Sequence, residues 1–271
     1  MYVFPFHAVS TRNLKISNYL RASGMVALAV FGFVCCILTA CTPQGSSNRL
    51  LVATAASTQF YAFEMSDAFS ARYGVEVEVV VGSSGMLTTQ ILNGAPFDIF
   101  LSADSSFASL LYDRGVAIYP PKIFGVGTPV LWSLKKHFHS IDSALVQTPL
   151  GRIAIANPKN APYGLKARQF LEDRRLLELL SDNLVYGESL AQVNEYVIRQ
   201  NVDFGFSAES SLLADQLREK GQYMALAPGY EVKHTVVALN NGKDPVLMDQ
   251  FLSFMSSEQG MVFLQKYGLD K

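Results

Sequence analysis

The sequence predicts an α/β fold with two lobes and a ligand cleft between them. Strand-like and helix-like segments alternate from Arg49 onward, in units of roughly 30 residues, a pattern typical of mostly parallel sheets with helices on both faces. The alternation restarts after Thr128, so we expect a second α/β unit inserted in the first. Ligands of such sheets bind beyond the carboxyl ends of the strands, where helices begin. The cleft is therefore the expected place of function.

The first unit opens with an apolar strand at 50–55. A helix at 60–73 follows, with apolar residues at helical spacing and Gly74 at its end. Valine then alternates with glutamate at 75–81, as in a half-buried strand. We predict a helix at 84–92, a strand at 97–101 and a helix at 105–112 for the rest of this unit.

The second unit is predicted from the same signals. It has strands at 129–133, 152–156, 184–186 and 203–206, and helices at 165–180 and 190–200. An extended segment at 233–240 and two helices, at 245–255 and 258–267, complete the chain.

Residues 1–40 have the character of a secretory signal. They contain basic but no acidic residues, and an apolar run at 25–38 precedes the small residues Thr39 and Ala40. The alternative is an N-terminal membrane anchor helix. The apolar run is shorter than the roughly 20 residues that a membrane span needs, which favours the signal.

Composition excludes several other classes of protein. A hydrophobic share of 49% with 17% charged residues argues against disorder. The formal net charge is -1 and no basic block occurs, so we expect no nucleic-acid partner. All three cysteines fall within the first 41 residues, so the chain after the signal has no disulfide and no thiol chemistry. The stretch 42–48 is small and polar and is predicted to be a tether.

Three strand-to-helix junctions carry hydroxyl or glycine residues: 55–58, 82–85 and 161–164. Free N–H groups and the helix dipole make such helix starts suitable for anions. The alternative is that they are ordinary N-caps and turns, because Ser, Thr and Gly are common there.

Signals for catalysis are weak in this sequence. The turn at 82–85 has neither the G-x-S-x-G spacing of a nucleophile elbow nor a P-loop pattern. His137 and His139 lack a nearby carboxylate or cysteine, which makes a metal site there weak. Asp98 and Asp104 are interpreted as a cap or a lobe-stabilising contact. No catalytic constellation is predicted.

Several motifs follow one another in a characteristic order over 50–267. They are Ala55-Ala56-Ser57, Gly82-Ser83-Ser84-Gly85 with Gln90-Ile91, the run from Asn93 to Asp104, Ala156-Asn157-Pro158, Ala161-Pro162-Tyr163-Gly164, the run from Tyr186 to Gln192, and Asp203-Phe204-Gly205-Phe206. In these motifs and their order the chain resembles the periplasmic molybdate-binding proteins of ABC importers.

This resemblance implies a type II periplasmic-binding-protein fold: two α/β lobes with mixed, mostly parallel sheets, joined by crossovers near 127–133 and 231–239. The expected organisation is a lipoprotein signal peptide at 1–40, a lipid-anchored tether at 41–48, lobe I at 49–128 and 233–271, and lobe II at 129–232.

The resemblance also implies the ligand contacts. Ser57 and Ser84 match positions that donate hydroxyl and backbone N–H groups, and Tyr163 and Leu190 match backbone N–H donors. Supporting positions are Thr58, Ser83 and Gly85. Many members of the family have a tyrosine where this chain has Ala208. Our hypothesis is that the Tyr163 hydroxyl replaces it.

By the same resemblance, the chain is a monomeric binding protein, not an enzyme, that captures molybdate or tungstate for an ABC transporter permease. It is expected outside the cytoplasm, in the periplasm or at the cell surface, held at the membrane by lipid on Cys41 in the lipobox-like Leu38-Thr39-Ala40-Cys41. We expect no cofactor and no protein-ligated metal cation. Alternatives are a receptor for sulfate, another oxyanion or a small organic anion, a serine hydrolase using Ser84, and a lipoprotein adhesin.

Overall fold

The computed structural model describes residues 48–146, 151–240, 242 and 244–270. The predicted signal peptide, the lipidation site at Cys41 and all but the last residue of the tether lie outside these residues. Within the described part of the chain, no helix is both long enough and apolar enough to cross a bilayer.

Two five-stranded sheets form the framework of the described residues. The first, which defines lobe I, has the order β2-β1-β3-β10-β4, with β1 at Arg49–Ala55, β2 at Glu76–Gly82, β3 at Ile99–Ser102, β4 at Lys122–Gly127 and β10 at Val232–Ala238. The second, which defines lobe II, has the order β7-β6-β8-β5-β9, with β5 at Pro129–Ser133, β6 at Ile153–Ala156, β7 at Leu184–Gly187, β8 at Phe204–Ala208 and β9 at Gln222–Ala225.

Both sheets are mixed and repeat one arrangement. In lobe I, β1 pairs in parallel with β2 and β3, and β10 runs antiparallel to β3 and β4. In lobe II, β6 pairs in parallel with β7 and β8, and β5 runs antiparallel to β8 and β9. The chain crosses to lobe II between β4 and β5 and returns between β9 and β10.

Helices cover both faces of each sheet, because side chains of successive strand residues point to opposite faces. Leu50 and Val52 belong to one apolar cluster of lobe I, whereas Ala53 belongs to another. The helices of the described residues are α1 Gln59–Tyr73, α2 Ser84–Leu92, α3 Ser105–Asp113, α4 Ile141–Val146, α5 Pro162–Asp173, α6 Leu190–Ile198, α7 Glu209–Leu212, α8 Pro245–Met255 and α9 Glu258–Lys266.

One predicted helix is wrong in its bounds. The segment expected at 165–180 begins instead at Pro162, whose fixed φ suits the first helical position, and ends at Asp173. Arg175 has a φ of 56°, which lies in the left-handed region and cannot continue an α-helix. Four elements were not predicted: the edge strands β4 and β9 and the short helices α4 and α7.

Candidate functional site

A small cavity lies between the two lobes, and we call it the interlobe cavity. It is narrow: the space open to the centre of a water molecule is about 10 Å³, roughly what one water molecule needs. Among the described residues, none of those that line it is charged; they are Ala55, Ala56, Ser57, Gly82, Ser83, Ser84, Ala103, Ala161, Pro162, Tyr163 and Leu190. The cavity is therefore small, and its lining presents uncharged groups.

Three helices begin at this cavity, namely α2 at Ser84, α5 at Pro162 and α6 at Leu190. The first-turn N–H groups of a helix have no partner within the helix, and the dipole adds about half a positive charge at that end. Since α2 belongs to lobe I and the other two helices to lobe II, the positive ends converge from both sides of the cleft. This arrangement favours an anion.

Two serine hydroxyls at the cavity lack a hydrogen-bond partner within the described part of the chain: Ser57 Oγ and Ser83 Oγ. Both residues are only 3% exposed, so bulk water does not supply the missing hydrogen bond. Ser83 occupies the N-cap of α2 without making the capping hydrogen bond. Buried hydroxyls without partners are costly, and both protons are available to an acceptor that enters the cavity.

The Ser84 hydroxyl is held in place by the backbone. Its Oγ accepts a hydrogen bond from the N–H of Ala103, at 2.9 Å, just beyond the end of β3. Because this bond uses an acceptor site of the hydroxyl, the Ser84 proton remains available for donation. The sequence-predicted pair Ser57 and Ser84 thus lies together at one cavity.

The other predicted site residues divide into two groups. Ser83, Tyr163 and Leu190 line the cavity, whereas Thr58 and Gly85 do not. The Thr58 hydroxyl donates to the carbonyl of Ala55, at 3.1 Å. The N–H of Gly85 donates across the cleft to the carbonyl of Asn160, at 2.8 Å.

Tyr163 lines the cavity and is the second residue of α5, so its N–H is one of the first-turn donors without a partner inside the helix. Its hydroxyl forms a hydrogen bond with Nε2 of His234, at 3.1 Å. His234 does not line the cavity, and this bond is an alternative to the contact with an anion that the sequence predicts. Ala208 ends β8 and likewise lies outside the cavity lining.

Hydrogen bonds across the cleft show that the lobes are closed on each other. The Ser210 hydroxyl of α7 donates to the carbonyl of Ser57, at 2.6 Å, and so joins lobe II to the junction at 55–58. The Gly85–Asn160 bond is a second link between the lobes. Sequence reasoning missed Asn160, Ser210 and His234, because each acts through a partner that is far away in the chain.

The acidic residues that sequence analysis set aside have structural partners. Asp98 Oδ2 accepts from the N–H of Leu51 at 2.6 Å, and Asp104 caps α3 through the N–H of Phe107. Across the described residues, no three His, Cys, Asp or Glu side chains form a group that could hold a metal ion.

Burial of His234 leads to a testable pH dependence. Burial lowers the pKa of this imidazole to about 3, against an ordinary value near 6.5. The unfolded chain therefore binds a proton that the folded chain excludes, so stability contributed by neutral His234 is lost as pH falls below about 6.5. Between about pH 3 and about pH 6.5, we expect His234→Gln to flatten the pH dependence of the free energy of unfolding. The slope should fall by up to about 1.4 kcal/mol per pH unit.

Denaturant unfolding at a series of pH values measures this slope. His139→Gln is the matched control, because it makes the same change at an exposed histidine. An unchanged slope in the His234 variant would contradict the prediction.

Known proteins are similar to this chain in sequence and in structure. The molybdate-binding protein ModA of Rhodobacter capsulatus is 31% identical over 226 residues, which cover 82% of this chain and 88% of that protein. ModA of Azotobacter vinelandii is 31% identical over 236 residues, 85% of this chain and 92% of the relative. The solved structure of the A. vinelandii periplasmic molybdate-binding protein superimposes with a TM-score of 0.78 at 27% identity, covering 82% of this chain and 99% of that one.

A family model described as "Bacterial extracellular solute-binding protein" matches residues 50–270, which include every residue of the interlobe cavity and, except for Arg49 at the start of β1, both sheets. The chain belongs to this family of bacterial extracellular solute-binding proteins.

Proposed function

We propose that this protein captures molybdate and delivers it to the permease of an ABC transporter. The observation that carries the proposal is the interlobe cavity, where serine hydroxyls and three helix starts from two lobes surround a space without a charged side chain. The similar proteins of R. capsulatus and A. vinelandii carry the name of molybdate-binding proteins, which supports this ligand.

Uncharged donors are sufficient for a dianion. An anion that enters the closed cavity loses its water shell, and this loss is costly unless hydrogen bonds replace it. Each hydrogen bond to a charged group contributes about 1.5–3 kcal/mol. The hydroxyls of Ser57, Ser83 and Ser84, with N–H groups from three helix starts, provide several such bonds.

The same donors select among oxyanions. A cavity whose polar groups donate hydrogen bonds favours a fully deprotonated oxyanion over one that carries a proton, such as hydrogen phosphate. Tungstate is also a tetrahedral dianion, and we include it in the proposed ligand set. Sulfate has the same charge and shape but is smaller, so its exclusion depends on how closely the donors surround the anion.

We further propose a role without catalysis, as a monomer outside the cytoplasm. A hydrolase using Ser84 would need a base beside that hydroxyl, and of the described residues lining the cavity none is a histidine or a carboxylate.

We also propose that acylation of Cys41 holds the protein at the membrane. A Cys41→Ser variant is then expected to leave the membrane fraction, and a variant that stayed in that fraction would contradict this anchoring.

A panel of oxyanions tests the proposed ligand. We expect molybdate and tungstate to raise the midpoint of thermal unfolding, because a ligand at 100 times its Kd stabilises the folded state by about 2.7 kcal/mol. Sulfate and phosphate at equal concentration are expected to have little effect. Isothermal titration calorimetry then gives the affinity. Stabilisation by sulfate or by an organic anion in place of molybdate would identify a different receptor on the same fold.

A further inference from the structure

Tyr163 connects the interlobe cavity to the segments that join the lobes. It lines the cavity at the start of α5, and the residue is only 3% exposed. The hydroxyl reaches His234 of β10, the strand by which the chain returns to lobe I, at 3.1 Å from Nε2. One residue thus contacts both the ligand site and a crossover strand.

The second crossover lies beside the same hydroxyl. Gly127 is the last residue of β4, immediately before the chain passes to β5 in lobe II. A side chain at Gly127 would collide with the Tyr163 hydroxyl and would lie 2.7 Å from Nε2 of His234. Both chain connections therefore pack closely around the Tyr163–His234 pair.

This pair is buried and uncharged. His234 is fully buried, its imidazole lies 5.9 Å from the Tyr163 ring centroid to centroid, and Phe124 of β4 covers it at 5.8 Å. Burial, and next the charge of nearby Glu209, raise the pKa of Tyr163. The phenol therefore keeps its proton, and the hydrogen bond joins two neutral groups in a site closed to water.

We propose that Tyr163 is a positioning residue that couples occupancy of the cavity to closure of the lobes, with its N–H directed to the anion and its hydroxyl bound to His234. The inference rests on the proposed function. Because α5 belongs to lobe II and β10 to the sheet of lobe I, the Tyr163–His234 bond links the two lobes. An anion that holds the start of α5 favours this bond, and the bond in turn slows loss of the anion.

A double-mutant cycle tests this coupling with molybdate as the ligand. Tyr163→Phe and His234→Phe each remove one partner of the same bond, and we expect each to weaken binding by about 10-fold, through faster dissociation. The double variant is expected to bind no more than about 2-fold more weakly than either single variant. Additive losses would show that the Tyr163 hydroxyl contributes to binding independently of His234, and would overturn the inference.

The control is Tyr186→Phe, which removes a hydroxyl from an exposed tyrosine of the same lobe. A second measurement needs only Tyr163→Phe, a change that keeps the ring. Fluorophores on the two lobes report closure, and at saturating molybdate we expect this variant to show a smaller closed fraction than the wild type. Equal closure would overturn the inference.

Failure of the proposed function and failure of the inference give different results. Wild-type protein that does not bind molybdate would refute the proposed function, and the inference with it. Wild-type protein that binds, with variants that dissociate at the wild-type rate, would refute the inference alone.

Discussion

Ser84→Ala is expected to weaken molybdate binding by about 10- to 100-fold, since a hydrogen bond to a charged group contributes about 1.5–3 kcal/mol. The same change should destabilise the ligand-free protein by about 1–3 kcal/mol. This second effect arises because the buried N–H of Ala103 donates to Ser84 Oγ at 2.9 Å and would lose its acceptor. Calorimetric titration and denaturant unfolding measure the two effects separately.

Ser57→Ala provides the contrast. The Ser57 hydroxyl lines the same cavity but has no partner among the described residues. Its removal should weaken binding without lowering the stability of the ligand-free protein. If Ser84→Ala bound molybdate with wild-type affinity, Ser84 would not be a ligand. If both variants lost stability equally, the assignment of the two hydroxyls would be wrong.

Gly164→Ala is expected to have a large effect on both stability and binding. A methyl group at Gly164 would collide with the carbonyl group of Ala156 at the end of β6. Backbone atoms cannot move aside as a flexible side chain can, so α5 must shift, at a cost of about 3 kcal/mol or more. Because α5 begins at the cavity, this shift displaces the N–H of Tyr163, and we expect affinity to fall by at least about 10-fold.

Leu165→Ala is the matched control for this variant. Leu165 is the next residue of the same helix, its side chain is 40% exposed, and alanine suits a helix there. We expect the stability and the molybdate affinity of this variant, measured by thermal unfolding and titration, to be close to those of the wild type. A Gly164→Ala protein with wild-type affinity would show that the start of α5 does not contribute to the binding site.

Local signals in the sequence predicted those elements that carry their own start and stop residues. Helix α8 begins with Pro245 behind the capping residue Asp244 and was predicted with its observed bounds. Strands β4 and β9 lie at sheet edges, where pairing with a distant strand decides the structure more than the local pattern does.

The predicted helix at 165–180 failed for a different reason. Leu176, Leu177 and Leu180 continue the helical spacing beyond the end of α5, and all three pack on the core of lobe II. Apolar periodicity reports burial, and it does not distinguish a helix from a turn that buries the same side chains. The left-handed Arg175 leaves no local signal comparable to a glycine.

Residues typical of helix starts predicted the junctions at 55–58, 82–85 and 161–164, and the family resemblance assigned Ser57, Ser84, Tyr163 and Leu190. These four residues line one cavity. The partners that hold this cavity closed could not be predicted, because Ser210 contacts Ser57 across 153 positions of sequence and His234 contacts Tyr163 across 71. Only the packing of one lobe on the other brings these residues together.

The division of the donors between α2 on one lobe and α5 and α6 on the other also bears on release. Each lobe alone presents only part of the coordination that the solute needs. Under the proposed function, a permease that separates the lobes would therefore remove part of the anion's hydrogen bonds at once. Release of the solute would then follow from opening of the cleft.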